Sequence, residues 1–394
     1  MISNLQTQRE KIYGALCWTL SERIDQVDWE SFSEDDWSRF GNMAIAEGVA
    51  PLIHWTLKHE DTSGIEIPTT VKAKLMAAYY NTAAQNQVMF QELERIFDVF
   101  NEADIPVIVL KGAALAVTVY PEISLRPMGD LDLLVPYDDI KSAERTLRDL
   151  GYSDGHPELT PGISRKISHH TQLIGGPNKK VPVEIHWTLI AGDDDWRSPP
   201  NEWFWANKIP WKNRNSTFVL SPTSNLLFLA AHLALQHGEE DAYLIWYYDL
   251  HLLITHFGDS IEWDEIEKYA REFNWAPALN AALNTTQKLF GTPLPVEFLN
   301  FPDVSSETRA AQLVARKSLP DQTRGVRVLN RMSSMDRSSQ WRFLLAKTFP
   351  TPAYIKWRYY PNPTWTWPIW YPYRWLRALA TIPETIKQLR KKPN

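Results

Sequence analysis

The stretch that most limits what this chain can fold into runs over residues 105–135, IPVIVLKGAALAVTVYPEISLRPMGDLDLLV. Residues 106–110 read as a short apolar strand, Lys111-Gly112 as a turn, the next residues as a short helix, and 131–135 as part of a second strand that carries Asp130 and Asp132. Alternate side chains of a strand share a face, so the two carboxylates project together while Leu131 and Leu133 point into a core. Neighbouring carboxylates repel, and a divalent cation between them is the usual remedy.

The rest of the chain frames that stretch. Its 394 residues suffice for two or more domains, and a net charge of -6 argues against a general nucleic-acid binder while leaving room for a local basic groove. The one cysteine, Cys17, excludes an intramolecular disulfide and a cysteine-based zinc site, and its apolar neighbours suggest a packed thiol in a reducing compartment. No export signal and no apolar run of ~18 residues is visible, so the expected setting is cytoplasmic, without a membrane span.

Taken in order, residues 1–104 read as an N-terminal helical region, 105–215 as an α/β core, 216–347 as a C-terminal helical domain and 348–394 as an aromatic, proline-rich basic tail. The longest expected helix is capped by Thr69 or Thr70 and runs to about residue 101, delivering the chain into the first strand. Asp138 or Asp139 caps the helix after the acidic strand, and Gly151-Tyr152 ends it. Residues 153–176, which include His169 and His170, read as a long loop, and length of that kind favours a functional role. In KKVPVEIHWTLI, Val183, Ile185 and Trp187 alternate with Glu184, His186 and Thr188, which is a third strand with an acid and an imidazole on its polar face. Residues 191–215 read as an irregular aromatic linker, and helices resume at the Ser221-Pro222-Thr223 cap.

This order of strand, glycine turn, helix, Asp-x-Asp strand and later Glu strand resembles the nucleotidyltransferase superfamily of the DNA polymerase beta type. LKGAALAVTVYPEISLRPMGDLDLLV followed by VEIHW is similar, more closely, to a family of mostly uncharacterised bacterial nucleotidyltransferases. The resemblance implies an α+β fold: a mixed sheet with helices, flanked by N-terminal helices and a C-terminal helical bundle. It also implies an NTP substrate such as ATP, a magnesium or manganese cofactor, and Asp130, Asp132 and Glu184 as catalytic and metal-binding residues. Two metals ~3.5–4 Å apart can neutralise a triphosphate and activate an attacking oxygen with so few carboxylates, because magnesium keeps phosphate and water in its shell. Gly112 permits backbone amides at a helix N-terminus to approach phosphate, and Lys111 and Arg126 are candidates for neutralising its charge. Ala113 stands where the broad superfamily has Ser, and the interval from Gly112 to Asp130 is longer than its pattern.

Several residues admit two readings. His186 either supports a neighbouring ligand or packs in its strand; His169 and His170 either reach a substrate or are solvated. His232 and His237, five apart, do not share a face of an α-helix, which favours a structural role or one of them reaching the cleft over a metal pair. Asp249 is either ion-paired or a substrate contact. The tail's interleaved Trp, Tyr and Arg could pack on the protein, stack on a nucleic acid, or sit at a membrane interface, where residues 382–390 would form a short basic amphipathic helix. The expected function is transfer of an NMP from NTP to a hydroxyl-bearing acceptor of unknown identity. The alternative is a catalytically idle nucleotide-binding or scaffold protein recruited to a membrane or partner by its tail.

Overall fold

Four helices precede the sheet: α1 (Ile2–Leu20), α2 (Glu34–Ala46), α3 (Ala50–His59) and α4 (Thr69–Glu102). Ser33 starts α2 with a capping box in which its hydroxyl accepts from the Asp36 N–H and the Asp36 carboxylate accepts from its own N–H. Gly48, at φ 73°, turns the chain out of α2, and Pro51 sits in the first turn of α3 where its missing N–H costs nothing. Neither Thr69 nor Thr70 caps α4; both are already helical, and Pro68 precedes them with no side-chain cap. The computed structural model describes residues 2–60, 64–163, 168–190, 201–212, 214–238, 242–299, 323–332, 335, 337–360 and 362–390. The tail lysines Lys391 and Lys392 and the first ten residues of the 191–215 linker lie outside these.

A seven-stranded mixed sheet follows, built from β1 (Val107–Val109), β2 (Leu131–Leu134), β3 (Ser153–Asp154), β4 (His170–Gly175), β5 (Val181–His186), β6 (Lys208–Pro210) and β7 (Thr217–Leu220), in the order β3-β4-β5-β2-β1-β7-β6. The β1–β7 and β2–β5 pairs are parallel and the others antiparallel. Helices α5 (Lys111–Thr118), α6 (Ile140–Asp149) and α7 (Asn201–Ala206) connect the strands. Three expectations change here. His170 lies in a strand rather than a loop, the described part of the 191–215 linker contains α7 and β6, and α6 is entered through a 3₁₀ turn at Tyr137–Asp139 without a side-chain cap from Asp138 or Asp139.

Beyond the sheet come α8 (Pro222–Ala231), a π-helical turn at His232–His237, α9 (Leu244–Phe257), α10 (Trp263–Glu272), α11 (Ala276–Phe290) and α12 (Val296–Leu299). Ser221 caps α8 as its sequence suggests, accepting from the Ser224 N–H. The last elements are α13 (Arg324–Met332), α14 (Arg337–Thr348), α15 (Pro352–Tyr359), a 3₁₀ segment at Thr364–Ile369, α16 (Trp370–Ala380) and α17 (Ile382–Arg390), so the described tail is mostly helical.

Strand alternation divides the core in two. Val107, Val109, Leu131, Leu133, Val183 and Ile185 pack against the second half of α4 and α6, while Ile108, Leu134 and Leu220 face the other way into the cluster formed by α1–α3 and α8–α11. The 34 residues of α4, about 51 Å at 1.5 Å per residue, serve both clusters: Val71 and Leu75 belong to one, Leu93 to Phe100 to the other. Asp132 shares the face of Leu134 by the two-residue period of a strand. It therefore lies where the sheet emerges from under the helical bundle, and that is where the cleft opens.

Candidate active site

The acids and the imidazoles nearest them are set by strand register. The β2–β5 pairing puts Asp132 opposite Glu184 and Leu134 opposite His186; the β4–β5 pairing puts Gln172 opposite Glu184 and His170 opposite His186. Asp132, Glu184, His186, His170 and Gln172 thus occupy one sheet face, and Asp130 enters from the residue before β2's first. At the end of β1 the Leu110 N–H donates to the Asp132 carbonyl at 3.0 Å, which fixes the start of α5 beside the acids. Lys111, rather than Gly112, adopts the left-handed backbone at this turn, with φ 49°. Gly112 matters through space: a Cβ there would lie 3.1 Å from Met128 Cγ.

The charges are paired unevenly. Lys111 Nζ donates to Asp132 Oδ1 at 2.7 Å, and His186 Nε2 lies 2.9 Å from the same oxygen and 3.5 Å from Glu184 Oε2. Gln172 Nε2 and His170 Nε2 approach Glu184 Oε1 at 3.3 and 3.4 Å. Burial works against ionisation of Asp132, but Lys111 and His186 outweigh it and hold its carboxyl well below the usual range. Burial likewise opposes the charge on Glu184, and its hydrogen bond with His186 wins, lowering it. Asp130 has no such direct partner among the described residues: burial, then Asp132 and Glu184, push its carboxyl up to about 7. Burial alone would lower Lys111 and His186; the surrounding carboxylates raise both.

That imbalance is the test of metal fit. Three carboxylates carry more negative charge than Lys111 and His186 offset, and the excess appears at Asp130. Asp132, Glu184 and His186 offer ligand atoms within 4.8 Å of one another, as do His169, His170 and His186. The carboxylate oxygens of Asp132 and Glu184 are hard donors that suit a divalent cation, and His186, which contacts both, can orient them from behind.

The cleft over this face measures about 1350 Å³. Asp130, Asp132, Glu184, Lys111, Gly112, Arg126, His169, His170, His232 and Asp249 all line it, so residues spread over more than a hundred positions converge. His186 is fully buried beneath, in contact with both acids, and its Nδ1 has no hydrogen-bond partner among the described residues. His169 Nε2 lies 3.0 Å from His170 Nδ1 and 3.2 Å from Gln236 Nε2. Burial, with His186 and each other close by, drives both imidazoles toward the neutral form, His170 down to about 4.

Arg126 and Asp249 form a buried bidentate pair, Nε to Oδ1 at 2.8 Å and Nη2 to Oδ2 at 2.7 Å, and Tyr120 donates to Asp249 Oδ1 at 2.6 Å. The guanidinium is thereby committed to Asp249 across the cleft wall. Asn86 holds the loop from the α4 side by donating to the Arg126 carbonyl. His232 and His237 have ring centroids 4.8 Å apart, against the expectation from α-helical spacing, because a π-helix brings residues five apart onto one face. Ala113 is buried in the core beneath the sheet, so the residue at this position packs rather than facing the cleft.

Sequence reasoning missed Gln172, Gln236 and Tyr120. The alternation in HTQLIG signals a strand and would have placed Gln172 beside Glu184. Gln236 depends on the π-turn, for which the sequence carries no comparable sign. No curated protein matches the chain. The family described as uncharacterised nucleotidyltransferase matches residues 33–291, from the Ser33 cap of α2 to Gly291, the left-handed residue that closes α11. That span takes in the sheet, the acidic face and α8, the π-turn and α9 on the cleft wall, while Arg327, Asn330, Lys347, Tyr354 and Trp357, which also line the cleft, lie beyond it. The chain belongs to the uncharacterised nucleotidyltransferase family.

Proposed function

We propose that the protein transfers a nucleoside monophosphate from an NTP to a hydroxyl-bearing acceptor, a small molecule or a protein side chain. The bond between the α-phosphorus and the bridging oxygen breaks, pyrophosphate leaves, and the acceptor oxygen takes its place on phosphorus. The observation that carries this reading is the register that sets Asp132 opposite Glu184 with Asp130 beside them. These three residues would hold Mg²⁺ or Mn²⁺, which supplies neutralisation of the triphosphate and activation of the attacking oxygen.

The chain's own residues do the remaining work. His186 fixes the Asp132 and Glu184 carboxylates from below, as an imidazole behind a ligand does. Lys111 holds its ammonium at the acidic face and is the cation nearest an incoming phosphate. The first turn of α5, with no side-chain cap, presents backbone N–H groups suited to an anion. Glu184, kept ionised by His186, is placed to take the acceptor's proton.

A second reading, an idle nucleotide-binding or scaffold protein, draws on the direct Lys111–Asp132 ion pair, which occupies the ammonium that a phosphate would need. Pyrophosphate release from ATP and the other NTPs, with a panel of hydroxyl acceptors, separates the two. Release is expected with Mg²⁺ or Mn²⁺, lost with EDTA and restored by added metal. Calorimetric NTP binding without release across the panel would support the idle reading.

A further inference from the structure

The last two helices carry their polarity the wrong way round for a helix facing water. In α17 the residue turned inward is Thr385, whose hydroxyl meets Thr323 Oγ1 at 3.0 Å, and Gln388 accepts from the Thr323 N–H at 2.9 Å. Ile382, Ile386 and Leu389 point outward, each more than two-fifths exposed. In α16 the buried side chain is Arg374, which donates to the Lys347 carbonyl at 2.9 Å and to the Tyr359 hydroxyl at 3.1 Å, while Leu376 and Leu379 are 67% and 60% exposed. A helix packed on a core does the opposite, because burying its leucines takes apolar surface out of water.

Two further observations select the partner. Among the described residues, 14 of the 24 exposed large hydrophobic side chains fall within residues 341–389, including Trp365 at 73% and Ile369 at 63%. Residues 348–394 also hold eight basic residues against the single acid Glu384, a net +7 in a chain whose total is -6. Arg377, Lys387 and Arg390 are exposed beside the outward leucines and isoleucines. Exposed apolar side chains, tryptophans and flanking cations in one stretch of chain match the boundary of an anionic bilayer. Among the described residues no helix is long and apolar enough to cross a membrane.

We propose that the outward faces of α16 and α17, with Trp365 and Ile369, dock the protein in the interface of an anionic membrane. Trp357 and Tyr354 on α15 line the cleft, so the docked surface lies close in sequence to its rim. The test is sedimentation of the full chain with phosphatidylcholine vesicles with and without phosphatidylglycerol. Binding is expected to anionic vesicles, to weaken as salt rises, and to fall roughly tenfold or more in L376E/L379E and in K387E/R390E, the second variant also showing a smaller salt dependence. Circular dichroism controls for folding, and neither pair of residues belongs to the acidic site, so pyrophosphate release in solution should be unchanged. Equal binding by the variants, or no vesicle binding by the parent, overturns the proposal. So does a concentration-dependent dimer that L376E/L379E dissolves, or retention on single-stranded DNA, if vesicle binding is absent.

Discussion

Asp132→Asn is expected to lower pyrophosphate release by about 10²–10³-fold or more, the usual cost of removing one element of a preorganised electrostatic site. Asp132 is the residue on which the face converges: Lys111 and His186 both address its Oδ1, and Glu184 stands opposite it across the β2–β5 pair. The amide keeps the shape and removes the charge, leaving Lys111 and His186 against a neutral group. The fold survives because the β2 ladder and the apolar alternation of Leu131 and Leu133 do not depend on the carboxylate. Circular dichroism and a denaturation midpoint close to the parent's check this, and unchanged release in a folded variant would count against the acidic site.

The largest stability effect is expected at a pair rather than at the acids. Asp249→Ala removes both acceptors of the buried Arg126 guanidinium and the partner of Tyr120, and leaves the cation without compensation. Such a break costs about 3–5 kcal/mol. Arg126→Met combined with Asp249→Leu should recover most of that loss, because replacing both members removes the uncompensated charge. Urea denaturation of Arg126→Met, Asp249→Leu and the double variant measures the coupling. Additive losses in this cycle would show that the two residues act independently.

How much of this was legible in the sequence follows from how local each signal is. β2, α5 and β5 were readable because alternation and an apolar run are sequence-local, and they carried Asp130, Asp132, Glu184 and His186 to one face. β7 was not: Thr217–Leu220 is four residues between polar neighbours, yet it pairs with β1 on one side and β6 on the other, one strand in from the sheet's edge. The fate of Arg126 depended on Asp249, more than a hundred residues away, and no local pattern joins them. His232 and His237 were misjudged for a geometric reason, since the spacing argument assumed an α-helix where the backbone takes a π-turn. The short helix at Ile382–Arg390 was legible, but which face it turns outward was fixed only by Thr323 and Gln388.

The central claim is that the acidic face binds a divalent ion together with a triphosphate. Anomalous diffraction from crystals soaked with Mn²⁺ and a non-hydrolysable NTP tests it most directly. Manganese signal is expected among Asp130, Asp132 and Glu184, with the triphosphate toward Lys111 and the start of α5, and no signal there in Asp132→Asn. Triphosphate bound elsewhere, with no manganese at these carboxylates, would contradict it.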